Sequence, residues 1–318
     1  MGFSHAYGAP TDEKTVVERI RQAVEIGYIF FDTAEVYGTA DDPHVNERLV
    51  GEALEHVRDK VVIATKFGLS FDMESGKVPY PLIPDSRPET VRKSVEGSLR
   101  RLGTDHIDLY YQHRIDPKVA PEEVAQVMSE LMREGKITHW GISEADEEYL
   151  RRANDVCPVT AVQNRYSMMA RQHEKLFPVL EELGIGFVAF SPMANGFLTG
   201  RYAKGEPFDR KYDYRASMPQ FADEAIDENR ELLGLLSGMA EEKDATPAQI
   251  SMAWMLCKKP WIVPIPGTRK PDRMKENAGA ADIMLTADEV ARLDEALENM
   301  SMSDVFGGTG TVKKQEAK

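Results

Sequence analysis

Short apolar runs of strand length recur along the chain and alternate with longer segments whose apolar residues repeat at helical spacing. The predicted strands cover residues 28–31, 61–65, 107–112, 137–142, 161–162, 187–190 and 262–265. The predicted helices cover 12–25, 46–57, 88–103, 122–133, 146–154, 173–183, 228–242, 247–257, 271–280 and 288–297. Segments 68–84 and 194–227 are predicted as loops, and the length of the second indicates an active-site lid.

Seven strands alternating with helices predict an α/β protein with a parallel sheet, either an open doubly wound sheet or a β/α barrel. Polar residues lie at the carboxyl ends of six predicted strands: Asp32, Lys66, His113, Ser143, Gln163 and Ser191. Barrel active sites collect residues from the ends of several strands, whereas a doubly wound sheet would carry G-x-G-x-x-G after its first strand, which is absent here. We therefore predict a (β/α)8 TIM-type barrel as a single domain over 1–300, with a polar, mobile tail over 301–318.

Composition narrows the possible partners. The 318 residues include 53 acidic and 39 basic side chains, and the net charge of −14 disfavours binding to nucleic acid or to anionic membranes. The two cysteines, Cys157 and Cys257, lie far apart and fit neither a metal site nor a disulfide framework. Because the sequence has no long apolar run and no signal-peptide pattern, we expect a cytoplasmic protein with no membrane partner.

Four of the polar residues suggest proton chemistry. A free tyrosine has a pKa of about 10, and a neighbouring ammonium favours its phenolate form. Lys66 beside Tyr37 would make that tyrosine a usable general acid, and Asp32 would keep the lysine charged. His113 could hydrogen-bond a carbonyl oxygen and position it against Tyr37. The alternative is a purely structural ion pair between Lys66 and Asp32, with His113 as a core histidine.

A cluster of basic residues suggests a phosphate ligand. Arg269, Lys270, Arg273 and Lys275 place four cations within seven residues of an acidic chain, at a predicted strand end that leads into a helix. Helix N-termini bind phosphate, so this cluster favours NADPH over NADH. A solvated basic face is the alternative interpretation. No metal-ligand spacing is present, so we expect no metal.

Seven sequence motifs, in order, resemble those of the aldo-keto reductase family of NADPH-dependent carbonyl reductases. They are FDTAEVYG, ATKFG, YYQHRID, GISEA, VQNRYS, FSPMANGFLTG and IPGTRKPDRMKEN. The resemblance implies a catalytic tetrad of Asp32, Tyr37, Lys66 and His113, with Tyr37 as the proton donor. It implies reduction of aldehydes and ketones, small-molecule carbonyl substrates, by hydride transfer from NADPH. It leaves the physiological substrate and the oligomeric state open.

The same resemblance implies the cofactor contacts. Ser143 and Gln163 would bind the carboxamide of the nicotinamide, and Phe190 would stack on the nicotinamide ring. Ser191 and Met193 would lie near the pyrophosphate. The 2′-phosphate would be bound by Thr268, Arg269, Lys270 and Arg273, and the adenine by Glu276 and Asn277. Two positions depart from many relatives, which carry tyrosine in place of Phe190 and asparagine in place of Glu144. A phenylalanine at position 190 can still stack on the nicotinamide ring. The resemblance does not imply that Glu144 contacts the carboxamide.

The resemblance also raises two further hypotheses. The family barrel has eight strands and only seven are recognised here, so we expect that the N-terminal hairpin and first strand are missing and that the sequence is truncated or starts at an internal methionine. A second function fits the same tetrad, namely an NADPH-binding, redox-sensing regulatory subunit with little turnover, similar to the potassium-channel β subunits.

Overall fold

The structure is a computed structural model that describes residues 2–4, 6–77 and 80–306. Its strands are β1 Phe30–Asp32, β2 Val62–Phe67, β3 Leu69–Phe71, β4 Leu82–Pro84, β5 Ile107–Gln112, β6 Ile137–Ser143, β7 Ala161–Arg165, β8 Gly186–Phe190 and β9 Ile262–Pro264. Its helices are α1 Glu13–Ile26, α2 Val45–Leu54, α3 Pro88–Leu102, α4 Pro121–Arg133, α5 Glu147–Val156, α6 Phe177–Leu183, α7 Asp223–Glu228, α8 Arg230–Glu242, α9 Pro247–Lys258, α10 Pro271–Ala278 and α11 Ala287–Asn299. The chain forms two compact units, of which the first contains 2–4, 9–77, 80–163 and 179–185 and the second contains the other described residues.

In the first unit, strands β1, β2, β5, β6 and β7 pair in parallel in that order. Asp32 lies opposite Ala64, and Ser143 lies opposite Gln163. Parallel strands covered on both faces need apolar residues at nearly every position, and Ile63 and Ala64 are fully buried. This pairing brings the carboxyl ends of five predicted strands to the same edge.

Local sequence signals determine where the helices of the first unit begin and end. Asp12 caps α1 by accepting a bond from the Thr15 amide at 2.9 Å, and Gly27 ends that helix with a φ of 113°. α2 packs against α3 so closely that a Cβ on Gly51 would lie 2.5 Å from the carbonyl oxygen of Leu102. The contact between these two helices therefore depends on a glycine.

The second unit contains the parallel pair β8 and β9, with Phe187 opposite Ile262. Helices α8 and α9 pack together, and a capping box between Thr246 and Gln249 starts α9. The core of the second unit includes an aromatic group in which the rings of Tyr166 and Trp254 stack, with their centroids 5.3 Å apart. With β8 and β9, the described residues contain seven parallel strands, as predicted.

Segment 68–84 was predicted as a loop, and this prediction is wrong. Strands β3 and β4 form an antiparallel hairpin, with Ser70 opposite Ile83. The prolines at 81 and 84 hid the second strand, because proline cannot donate to a central ladder. A two-stranded hairpin has an open side on each strand, so Pro84 is tolerated there.

The long segment 194–227 is also more ordered than predicted. It contains three short 3-10 turns, at Ala194–Thr199, Tyr214–Ser217 and Pro219–Phe221, before α7. Its lid function stays a prediction. At the start of the predicted tail, Val305 is buried and the amide of Ser303 donates to Asn229 at 3.2 Å. Residues 307–318 of that tail lie outside the described residues.

Smaller differences concern element ends. The first strand includes Asp32 instead of ending before it, and α2 ends at Leu54 before a 3-10 turn. The helix predicted over 173–183 is divided into a 3-10 turn and α6. In the described part of the chain, every helix is too short or too polar to cross a bilayer.

Candidate active site

The ammonium of Lys66 is the centre of the candidate site. Lys66 lies near the end of β2 with its side chain fully buried. Its Nζ donates to Asp32 Oδ1 at 2.5 Å, to the Thr33 carbonyl at 2.8 Å and to Tyr37 Oη at 3.2 Å. A lysine ammonium has three donors, so all three are used.

Backbone pairing explains why these groups meet. Beyond β1 the chain continues alongside β2, where the Thr33 amide donates to Ala64 at 2.8 Å and the Glu35 amide donates to the Lys66 carbonyl at 3.1 Å. These bonds extend the strand pairing into the loop that carries Tyr37. The tyrosine is thereby held over the lysine, with Nζ 4.7 Å from the ring centroid.

Electrostatics keeps the lysine protonated in spite of its burial. Burial by itself lowers the pKa of Lys66, but the attraction of Asp32 and Tyr37 and the hydrogen bonds to both side chains outweigh that effect, and the net pKa is raised. The second oxygen of Asp32 accepts a bond from Gln163 Nε2 at 2.8 Å. A buried ion pair whose remaining polar atoms are bonded in this way avoids most of the cost of an unsatisfied charge.

His113 completes the group of four predicted catalytic residues. It directly follows β5, and its amide donates to the Phe67 carbonyl at 3.0 Å. Its ring lies edge-on to that of Tyr37, with centroids 5.6 Å apart and planes at 78°. His113 is buried and Tyr37 is partly exposed. The structure therefore brings all four side chains together within the first unit, with the tyrosine at the accessible side.

Ser143 and Gln163 lie beside this group, and their contacts were not predicted. The Ser143 hydroxyl donates to the Gln163 carbonyl at 2.9 Å and accepts a bond from Arg114 Nη1 at 3.0 Å. The side chain of Gln163 also holds Asp32, as described above. Glu144 follows in a left-handed conformation, with a φ of 60°. Sequence reasoning missed Arg114 entirely, although its place directly after His113 was a usable signal.

In the second unit, the predicted cofactor residues after β8 form a tight turn. Ser191 has a φ of 54°, and its hydroxyl accepts a bond from Asn195 at 3.4 Å. Met193 starts the following 3-10 turn. The guanidinium of Arg165 lies 4.9 Å from the ring centroid of Phe190, so one face of that ring is already in contact with a cation.

The predicted phosphate and adenine residues lie around the start of α10. The Lys270 amide bonds Thr268 Oγ1 at 3.2 Å, and Arg269 donates to the Gly8 carbonyl at 3.4 Å. Burial lowers the pKa of Arg269, since desolvation outweighs the attraction of nearby acid. Within the described residues, the side chains of Lys270 and Arg273 form no ion pair. Within that part of the chain, the basic cluster thus has uncompensated charge at Lys270 and Arg273.

Two further residues on α10 differ in their contacts. Glu276 forms an ion pair with Arg201 at 2.9 Å, and both carboxylate oxygens of Glu276 accept bonds from that guanidinium. The Nδ2 atom of Asn277 is buried and has no hydrogen-bond partner in the part of the chain that the structure describes. A buried amide without a partner is unusual and fits a polar ligand group. Among those same residues, no group of three or more His, Cys, Asp or Glu could hold a metal ion.

The chain resembles known proteins over nearly its full length. It is 39% identical over 311 residues to "Probable aldo-keto reductase 1" of Glycine max, covering 97% of this chain and 86% of the relative. A solved glycerol dehydrogenase from Gluconobacter oxydans matches with a TM-score of 0.83 at 29% identity, covering 93% of this chain and 89% of the other.

A second solved structure, an aldo/keto reductase from Klebsiella pneumoniae in complex with NADP and acetate, has a TM-score of 0.67 at 26% identity. It covers 92% of this chain and 90% of the other. These matches confirm the predicted barrel-type α/β fold class. The model of the aldo/keto reductase family, a family of oxidoreductases, matches residues 1–298, and the chain therefore belongs to that family.

Proposed function

We propose that the protein reduces aldehydes and ketones to alcohols with NADPH, and that Tyr37 is the proton donor. The observation that carries this proposal is the buried Lys66 ammonium, which is bonded to Asp32 and also donates to the Tyr37 oxygen. NADPH, when bound, supplies the hydride for the carbonyl carbon. The residues of the chain supply the proton and the geometry.

The proton would pass from Tyr37 Oη to the oxygen of the developing alkoxide. The phenolate left behind would be stabilised by the hydrogen bond and charge of Lys66 at 3.2 Å. Asp32 holds that ammonium protonated and oriented, and Gln163 fixes the second oxygen of Asp32. His113, edge-on to the tyrosine ring, would hydrogen-bond the same substrate oxygen.

The cofactor assignment is supported separately in each unit. In the first unit, Ser143 and Gln163 would meet the carboxamide, although the hydroxyl donor of Ser143 already bonds within the protein. In the second unit, Lys270 and Arg273, which form no ion pair with any residue that the structure describes, fit the 2′-phosphate together with Thr268 and Arg269. The residues proposed for the remaining contacts are Phe190, Ser191, Met193, Glu276 and Asn277. The relative from Klebsiella pneumoniae is in complex with NADP, which supports this assignment.

The test is the Tyr37→Phe variant, which removes only the hydroxyl. We expect kcat for aldehyde reduction to fall by about 100-fold to 10,000-fold, the usual contribution of a general acid, while NADPH affinity measured by fluorescence stays the same. The matched control is Tyr28→Phe, which removes a hydroxyl outside this group.

Unchanged turnover in Tyr37→Phe would contradict the acid role. A wild-type protein that binds NADPH tightly but does not oxidise it with any member of an aldehyde panel would contradict the reductase function. That second result would favour the redox-sensing alternative, which has the same four side chains.

A further inference from the structure

Arg114 lies beside the candidate site but has no part in the proton chemistry. Its Nη1 atom donates to the carbonyl of His113 at 2.6 Å and to Ser143 Oγ at 3.0 Å. Those two acceptors belong to the ends of the neighbouring strands β5 and β6. Because the Ser143 hydroxyl is itself fixed by the Gln163 carbonyl, the guanidinium is held in one orientation before any ligand binds.

No carboxylate in the described part of the chain compensates the charge of this guanidinium. Both acceptors of Nη1 are neutral, and no Asp or Glu oxygen among the described residues lies within 4.0 Å of an Arg114 nitrogen. The acid closest in sequence, Asp116, uses its two oxygens to accept the amides of Ser86 and Lys118.

The geometry leaves one edge of the guanidinium available. In the described part of the chain, Nε and Nη2 of Arg114 have no hydrogen-bond partner, and the side chain is partly exposed. These two nitrogens form the edge with which arginine binds a carboxylate through two parallel bonds. A fixed, charged and accessible fork of this kind matches a carboxylate better than a neutral amide.

We propose that Arg114 determines substrate specificity by pairing with a carboxylate on the carbonyl substrate. The preferred substrates would be aldehydes or ketones with an acid group a short distance from the carbonyl. This rests on the proposed reductase function, since Arg114 directly follows His113, whose ring contacts Tyr37.

The experiment compares carboxybenzaldehydes with the corresponding methyl formylbenzoates, which have the same shape near the aldehyde but no charge. The 2-, 3- and 4-isomers vary the distance between the acid and the carbonyl. The proteins are wild type, Arg114→Gln, Arg114→Lys and the control Arg133→Gln, which removes one positive charge from an exposed position at the end of α4. Each protein is assayed for kcat/KM with every probe, and its affinity for NADPH is measured by fluorescence.

We expect at least one acid isomer to be preferred over its ester by the wild type. In Arg114→Gln that preference should fall about 10-fold to 100-fold, because a charge-assisted pair is lost. KM for the acid should rise by a larger factor than kcat falls. Arg114→Lys should keep part of the preference because it keeps the charge but not the fork. An unchanged preference, or no preference in the wild type, would overturn the proposal. So would a loss of NADPH affinity that accounts for the whole effect.

A failure of the reductase function is distinguishable from a failure of this inference. If no aldehyde is reduced by any variant, calorimetric titration of benzoate into the NADPH-loaded wild type and Arg114→Gln still decides the role of Arg114. Weaker binding of benzoate to Arg114→Gln than to the wild type would support the carboxylate site. Equal binding to the two proteins would exclude it.

Discussion

Glu35 provides the sharpest test of the buried electrostatics in the first unit. Glu35 is 7% exposed, and its carboxyl group accepts the Gly68 amide at 2.8 Å, which ties the Tyr37 loop to the end of β2. Burial raises the pKa of Glu35 to about 7, with the nearby Glu47 carboxylate adding to the rise. Bonds from Ser94 and Gly68 and the charge of Arg101 lower it, but less.

The change in folding stability with pH follows from the different proton affinity of Glu35 in the folded and unfolded states. Between pH 4.5 and about 7 the folded protein keeps a proton on Glu35 that the unfolded chain releases, so stability falls as pH rises through this window. Above pH 7 both states are ionised and the loss is complete. With a pKa of about 7 when folded and 4.5 as reference, and about 1.4 kcal/mol per pH unit, the loss is about 3 kcal/mol.

The perturbation is Glu35→Gln, which keeps the shape and the acceptor for Gly68 but cannot ionise. Urea denaturation at pH values between 4.5 and 8.5 should show similar stability for both proteins at the acid end. The variant should be more stable by up to about 3 kcal/mol at pH 8. The exposed control Glu231→Gln removes the same formal charge from α8 and should show no such dependence. A stability difference between Glu35→Gln and wild type that is the same at every pH would refute the reasoning.

The remaining predictions concern packing, cofactor choice and the C-terminal segment. Gly51→Ala should lower stability by about 1–3 kcal/mol, because the new Cβ would overlap a backbone carbonyl of α3. The control Gly234→Ala, which has open space around it, should raise stability by about 0.5–1 kcal/mol. Equal effects of the two substitutions in thermal denaturation would contradict the packing argument. Arg273→Ala should weaken NADPH binding far more than NADH binding, and equal losses by fluorescence titration would exclude the phosphate assignment. Asn229→Ala should cost about 1–3 kcal/mol of stability in urea denaturation, because Asn229 is fully buried and its side chain makes three hydrogen bonds, two of them with Ser303. A cost near zero would show that the C-terminal segment is not anchored at Asn229.

Local sequence patterns are sufficient to predict the buried strands and several helix ends of this chain. The parallel strands were recognised because a strand buried on both faces needs a continuous apolar run, and such a run is visible in the sequence alone. The predicted helix start at Pro88 was correct, and the helix end predicted at residue 25 lies one residue before the observed end at Ile26, because capping is a local property of the chain. The hairpin over 68–84 was missed because two three-residue strands, broken by prolines, leave almost no periodic signal.

The candidate site shows the same division. The sequence determined which residues stand at the ends of the strands, and hence that Asp32, Tyr37, Lys66 and His113 would share one edge of a parallel sheet. Only the tertiary structure decided what those side chains bond to. The bond from Gln163 to Asp32 joins residues 131 positions apart, and no local pattern encodes such a distance. Likewise, the sequence does not show that Arg114 has no carboxylate partner among the described residues, because charge pairing depends on distances of a few ångströms and not on separation along the chain.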